Sequence, residues 1–239
     1  MNKDYIISII VPTLNSDRHI ATLLDSVREQ KFKRCEVIVV DNGSKDKTLK
    51  IAKKYKVKIV NSLGNPPQVA RQRNLGAKVA RGDYLYFMDH DMELSKDFLK
   101  HFSEKILIPK YSDIDAWYVP ETIISNSKFL STVRNFEAQF IDGTVVSAAR
   151  LIKRESFYLT SGYDHKLSSG PADWDLDIQL RLKDFKFAVF DKRVYHHEEN
   201  LTIKSYIFKK TTYIKGEEIY KKKWRNNKYV YNNIVVKQY

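Results

Sequence analysis

An α/β fold with a mostly parallel central sheet flanked by helices is what this sequence predicts, and three observations predict it. Short β-branched runs recur along the first half of the chain. Segments with helical spacing of apolar residues separate them. Polar, turn-forming residues gather where the runs end.

Ile6 to Val11 (IISIIV) is a continuous apolar run, the pattern of a parallel strand buried on both faces. Ile20, Leu23, Leu24 and Val27 follow at helical spacing. Val37 to Val40 (VIVV) is a second buried strand, followed by a helix from about Lys47 to Lys54. Val57 to Val60 is a third strand, and Val69 to Ala80 a further helix. Tyr84 to Met88 (YLYFM) is the fourth strand. Such alternation with short loops implies right-handed crossovers and a ligand site beyond the carboxyl ends of the strands. After Asp91 the pattern loosens. A helix is expected from about Lys96 to Ile106 and a strand around Trp117 to Pro120, then an irregular stretch rich in Ser and Asn. Asp173 to Lys183 reads as a helix with an acidic start, Phe187 to Phe190 as a strand leading into His196 and His197, and Thr202 to Lys223 as a helix.

A chain of 239 residues, 43% apolar and 30% charged, has the length and composition for one sizeable core. No window holds the roughly 18 apolar residues a membrane span needs. The single cysteine, Cys35, excludes an intramolecular disulfide and a multi-Cys metal site, and points to a reducing, cytoplasmic setting. The first apolar run is broken by Pro12 and Asn15, so it reads as a strand and not as a leader. The formal net charge of +13 favours polyanionic partners: nucleic acid, anionic lipid or phosphate-bearing substrates.

Three strand ends carry the chemistry. The first runs into Pro12-Thr13-Leu14-Asn15, the second into Asp41-Asn42-Gly43-Ser44, the fourth into Asp89-His90-Asp91. Each could be an ordinary helix cap, since Asp, Asn and Ser are preferred caps. The pair Asp89 and Asp91 demands more, because two crowded carboxylates need a cation or donors to compensate them. A hard divalent ion that leaves positions open for phosphates is the natural partner.

With the segment before it, the signal becomes specific. SIIVPTLN, EVIVVDNGSKDKT, ARQRNLGAKVARGDYLYFMDHD, SGYDHKLSSGPADWDL and HHE occur in an order, over roughly residues 6 to 200, that resembles the inverting family 2 glycosyltransferases of the Rossmann-like GT-A fold. The resemblance implies that Pro12, Thr13 and Asn15, with Asp41 and Asn42, hold the nucleoside of a sugar diphosphate. Arg73 would lie near the nucleotide or its phosphates, and Asp89 and His90 would add donor contacts. Asp89 and Asp91 would position Mn2+ or Mg2+, with His197 a third metal or phosphate contact. Many relatives carry a second Asp where this chain has Asn42, which leaves the base open, with UDP- and GDP-sugars the leading donors. The acceptor would be a glycan or a lipid-linked molecule.

Inverting transfer needs a base for the acceptor hydroxyl, usually a carboxylate. The resemblance implies that it follows Gly162-Tyr163-Asp164 at the family's distance, which is Asp173; a second alignment to the family's downstream spacing gives Asp175. The family's Glu-Asp pair is here Ala172-Asp173, which keeps a catalytically degenerate, nucleotide-sugar-binding relative as the alternative. The aspartates 173, 175 and 177 also fit an acidic first helical turn favoured by the helix dipole. A nucleotidyltransferase would place a Gly-rich basic loop after the first strand, and PTLNSDRHI is not one. A single-strand nucleic-acid binder fits the charge, but an acidic loop at Asp89 and Asp91 would repel phosphates without a metal and no recognised binding motif is present, so nucleic acid is not an expected partner.

Residues 1–200 then form the catalytic domain and 201–239 a basic, aromatic helical extension. Its Tyr206, Phe208, Tyr213 and Tyr220, with Lys209, Lys210, Lys215 and Lys221 to Lys223, are expected either to pack on the domain or to rest on an anionic membrane at the inner face of the cell.

Overall fold

A computed structural model of the chain describes residues 5–64, 66, 68–167, 169–199 and 201–231. Strands β1 (Ile7–Thr13), β2 (Cys35–Asp41), β3 (Lys58–Asn61) and β4 (Tyr84–Phe87) alternate with helices α1 (Ile20–Arg28), α2 (Thr48–Lys54) and α3 (Val69–Val79), as the periodicities predict. Then come β5 (Met92–Leu94), α4 (Phe98–Lys105), β6 (Ala116–Tyr118), β7 (Glu121–Ile124), α5 (Lys128–Ile141), β8 (Ala149–Lys153) and α6 (Arg154–Tyr158). The chain continues through α7 (Ser169–Arg181), β9 (Phe187–Val189), β10 (Val194–His197) and α8 (Ile203–Trp224), with a last turn α9 (Lys228–Val230).

Seven strands form one sheet in the order β3-β2-β1-β4-β8-β6-β9. It is mostly parallel; β8 runs antiparallel to both its neighbours. The strand order reverses between β1 and β4, so the loops leaving these two strands flank a crevice. Side-chain alternation divides the core between the faces of the sheet. Ile7, Ile9, Val11, Tyr84 and Tyr86 join the apolar faces of α1 and α4. Ile10, Val40, Leu85 and Phe87 join α3, α7 and Tyr220 of α8. Helix α3 lies close to the sheet because of Gly76: a Cβ there would come within 2.3 Å of Ile10 Cγ2.

A smaller sheet, β5-β10-β7, lies beyond the acidic loop. Here the structure corrects the sequence reading. The stretch expected to be irregular contains β7, the 14-residue α5 and β8. Helix α7 starts at Ser169, four residues before Asp173, so no acidic residue occupies its first turn and the helix-dipole explanation fails. Tyr220, expected on a packing or membrane face, is fully buried against Trp174 at 5.8 Å. The side chains of Tyr206, Lys209, Lys210, Tyr213 and Lys215 lie outside the described residues. Among the described residues no helix is long and apolar enough to cross a membrane.

Candidate active site

The loops after β1 and β2 are built as one unit. Asp41, 1% exposed, accepts from Thr13 Oγ1 at 2.9 Å, Ser44 Oγ, Gly43 N at 2.9 Å and Ser44 N at 2.8 Å. Those donors fill the acceptor directions of a carboxylate, so Asp41 braces the loop. Gly43 takes φ +86, the left-handed region this turn needs. Asn15 locks the two loops together: its N–H donates to Ser44 Oγ at 2.8 Å and its Oδ1 accepts from Lys45 N at 2.9 Å. Pro12 lies within the buried strand opposite Val40. Gln72 of α3 ties the strand ends by donating to Thr13 O at 2.9 Å and Val40 O at 2.6 Å. Asn42 Oδ1 accepts from Arg71 at 3.2 Å.

Four consecutive residues of α3 therefore point to four tasks: Arg71 to Asn42, Gln72 to the strand ends, Arg73 to the carboxylates and Asn74 to the Gly162–Tyr163 turn. Asn74 holds that turn with two hydrogen bonds, to Tyr163 O at 2.8 Å and from Tyr163 N at 2.9 Å. The Tyr163 ring in turn covers Arg73, whose guanidinium carbon lies 5.0 Å from the ring centroid.

Arg73, 4% exposed, donates to Asp173 Oδ1 at 2.6 Å and Asp89 Oδ1 at 2.9 Å. Asp89 Oδ2 receives Arg150 Nη1 of β8 at 2.8 Å. Burial alone would raise the Asp89 pKa; Arg150 and Arg73 override it and hold the carboxyl well below the usual range. Both oxygens of Asp89 are thus taken by arginines. Arg150 Nε also lies 3.6 Å from Glu121 Oε1, and Glu121 Oε2 meets His196 Nδ1 at 2.9 Å. His196 Nε2 then lies 3.4 Å from Asp91 Oδ1. A chain of alternating charges runs Asp173, Arg73, Asp89, Arg150, Glu121, His196, Asp91. Burial pushes the His196 pKa down, but its contacts with Asp91 and Glu121 prevail and bring it up to about 10.

Asp173, Arg73, Asp89 and Asp91 are brought together as expected. His90 is half-buried between the two aspartates of its loop. His197 is not turned to them: its Nε2 meets Glu93 Oε2 at 2.8 Å and its ring stacks on His19 at 5.9 Å. The histidine facing Asp91 is its neighbour. Strand alternation carries the signal, because Val194 is buried and His196 shares its face. Asp175 is also turned away, to the far side of α7. It meets Lys223 Nζ at 2.8 Å and Trp224 Nε1 at 2.9 Å, and Lys223 bridges on to Asp164 at 2.9 Å. Asp177 joins Tyr118 and Arg181. Arg150, Glu121, Gln72 and Arg71 were missed in the sequence. Arg150, a single cation flanked by the apolar residues of AARLI, was the most legible of them.

Asp91 Oδ1 is buried and lacks a donor in hydrogen-bond geometry, although His196 is near. His196 is here an imidazolium shared between Asp91 and Glu121, so it would ligate a cation only on giving up its Nε2 proton; Glu121 on Nδ1 is the kind of carboxylate that orients such an imidazole. Asp89 does not fit as a ligand while two arginines hold it. Among the described residues no three His, Cys, Asp or Glu groups gather as a complete cage.

A sheet that reverses its order where two loop-bearing strands meet, with a buried arginine–carboxylate network in the crevice, defines an α/β protein with its ligand site at the switch point. The chain belongs to glycosyl transferase family 2, whose model matches residues 8–158. It is 29% identical over 205 residues to the poly(ribitol-phosphate) beta-N-acetylglucosaminyltransferase TarS of Staphylococcus aureus, covering 80% of this chain and 35% of TarS. The chain therefore spans about a third of that relative's length. The structure of S. aureus TarS 1–349 in complex with UDP-GlcNAc superposes with a TM-score of 0.64 at 21% identity, covering 84% of this chain and 60% of that one. The mannosyltransferase PcManGT from Pyrobaculum calidifontis, in complex with GDP-Man and Mn2+, superposes with a TM-score of 0.61 at 18% identity, covering 84% and 59%. These matches establish the GT-A fold.

Proposed function

We propose that this chain is a metal-assisted, inverting glycosyltransferase domain that moves a sugar from a nucleoside diphosphate to an acceptor hydroxyl. The observation that carries the reading is Arg73, one buried guanidinium shared between Asp89 of the strand-end loop and Asp173 of α7. It sets a candidate base beside the loop expected to meet the diphosphate.

In this reading the nucleoside sits on Pro12, Thr13, Asn15 and Asn42, with Asp41 bracing their loops. Asp91 and His196 hold Mn2+ or Mg2+, and Glu121 orients His196. A divalent ion bound there would neutralise charge developing on the departing diphosphate. Asp89 keeps Arg73 and Arg150 in place. Asp173 uses Oδ1 for Arg73, while Oδ2 makes none of the described hydrogen bonds and is free to take the acceptor proton. The acceptor oxygen forms its bond to the anomeric carbon as the bond to the diphosphate breaks on the opposite side. The proton passes to Asp173 and the electron pair leaves with the diphosphate. Residues 1–200 would carry this chemistry, and 201–239 would be an extension that buttresses α7. UDP- and GDP-sugars are the donors supported by the bound ligands of similar proteins, and a glycan or lipid-linked molecule is the acceptor. A cytoplasmic protein in peripheral contact with an anionic membrane fits the charge.

A second reading, a relative that binds nucleotide sugar without turning it over, is favoured by Ala172, which is buried where the family's Glu would stand. Thermal unfolding with UDP-, GDP-, dTDP- and CDP-sugars, each with and without manganese, tests the donor site. A ligand at a hundredfold excess over its Kd stabilises by about 2.7 kcal/mol. A manganese-dependent shift with one nucleotide supports the site and identifies its base. No shift with any of them rejects it.

A further inference from the structure

Helix α5 turns its apolar face outward. Phe129, Val133, Phe136 and Phe140 recur at the spacing that puts them on one side of a helix. They are 71%, 37%, 60% and 68% exposed, and no residue of α5 is buried. The opposite side is held to the protein by polar contacts. Asn135 Oδ1 accepts from Ile123 N at 2.7 Å, its Nδ2 donates to Ile123 O at 3.0 Å, and Arg134 reaches Glu198 at 3.6 Å. A surface helix normally buries its apolar stripe, so the reversed arrangement marks a face built for contact.

The same neighbourhood carries a second exposed apolar segment. Glu198, which Arg134 touches, donates its backbone N–H to Ile124 O of β7 at 2.8 Å. A short connection then leads into α8, whose first two turns expose Ile203, Ile207 and Phe208 at 63%, 56% and 69%, with Lys204 among them. Lys128 of α5 and Lys204 of α8 are exposed on these two segments, and the chain as a whole carries +13.

We propose that α5 and the start of α8 form a docking surface for an anionic lipid bilayer, with Phe129, Phe136 and Phe140 entering the headgroup region. Charge selects this occupant over a second copy of the chain. Two copies at +13 repel each other, whereas an anionic leaflet attracts basic segments, and aromatic residues interleaved with lysine characterise interfacial helices. The surface stands on exposure and charge alone. It also deepens the transferase reading, on which the next step rests: α5 is bonded to β7, the strand whose Glu121 holds His196. A membrane against α5 would bring a lipid-linked acceptor to that side of the site.

Co-sedimentation with phosphatidylcholine vesicles, with and without about a third phosphatidylglycerol, tests the surface. The wild-type chain should bind the anionic vesicles, weaken with added salt, and bind neutral ones poorly. Replacing Phe129→Ser, Phe136→Ser and Phe140→Ser together should reduce binding about tenfold or more with the melting temperature unchanged, because these side chains pack on no core. If the triple variant misfolds, Phe129→Ser and Phe140→Ser made singly should each weaken binding several-fold. The proposal is overturned if the wild type ignores anionic vesicles or if the variants bind as well as it does. It is equally overturned if light scattering shows a wild-type dimer that the variants abolish while vesicle binding persists. Vesicle binding by a chain that no nucleotide sugar stabilises would support the surface and reject the transferase reading.

Discussion

Arg73 and His196 show how single residues set this site. Arg73 is buried with two carboxylates on its guanidinium, and Arg150 completes the neutralisation of Asp89. Removing one partner from a fully buried ion pair costs about 3–5 kcal/mol. Asp89 is a quarter exposed and would keep Arg73, so Arg150→Met should cost about 2 kcal/mol, read by urea denaturation. A loss indistinguishable from zero would mean that Arg150 does not carry the Asp89 charge. The choice between the two histidines is tested through their carboxylate partners. Glu121→Gln should weaken manganese binding about 10- to 100-fold in a calorimetric titration with nucleotide present, as loss of a group orienting a ligand does. Glu93→Gln, on His197, should leave it unchanged. The reverse result would return the metal to His197. The difference between the sequence reading and the structure has a physical origin: adjacent histidines on a strand point to opposite faces, and only the buried Val194 two residues earlier tells which one faces Asp91. Asp89 and Asp91 stand out in the sequence because they follow a strand end, whereas Arg73 and Asp173, on α3 and α7, were reached only through the family resemblance. Arg150 and Glu121 were missed, because short strands far along the chain deliver them.

At the scale of elements, the first four strands and three helices could be read from period alone, being long, apolar and separated by turn residues. Of the later strands, β6 and β9 could be read as well, from the apolar runs around Trp117 and Phe187, whereas β5, β7 and β8 could not. These three hold three to five residues each, with a charged residue in every one, and gain their stability from sheet partners distant in sequence. Two contacts between elements yield predictions. A methyl group at Gly76 meets Ile10 across the α3–sheet contact, so Gly76→Ala should destabilise by about 1–3 kcal/mol in chemical denaturation, against the gain expected of Ala in a helix. Unchanged or increased stability would mean that α3 can move off the sheet. The clasp of α8 on α7 depends on pH. Burial raises the Asp164 pKa, but hydrogen bonds from Lys223 and the Lys166 N–H outweigh it and the net shift is downward. A folded pKa below the unfolded value of about 3.9 gives stability that is complete above that value and lost as pH falls through the folded one. The melting-temperature advantage of wild type over Lys223→Met should therefore be constant near neutrality and shrink below about pH 4. An advantage that persists undiminished to pH 3 would remove Asp164 from the clasp.

The whole molecule joins three parts around one crevice: a half of alternating strands and helices that carries the loops after β1, β2 and β4, a small sheet that supplies His196 and Glu121, and α7 with its α8 buttress, which supplies Asp173. Sequence order predicts the first part well, since each crossover is local, whereas the meeting of the other two depends on contacts across tens of residues, such as His196 with Glu121 and Arg73 with Asp173. Their convergence is the central claim, and Asp173 is its most exposed point. With the donor that stabilises the protein most, release of nucleoside diphosphate should be compared between wild type and Asp173→Asn in the presence of manganese. The account predicts a fall in turnover of about 100-fold or more with donor-induced stabilisation retained, as expected for loss of a general base. Turnover that survives the substitution intact would contradict it.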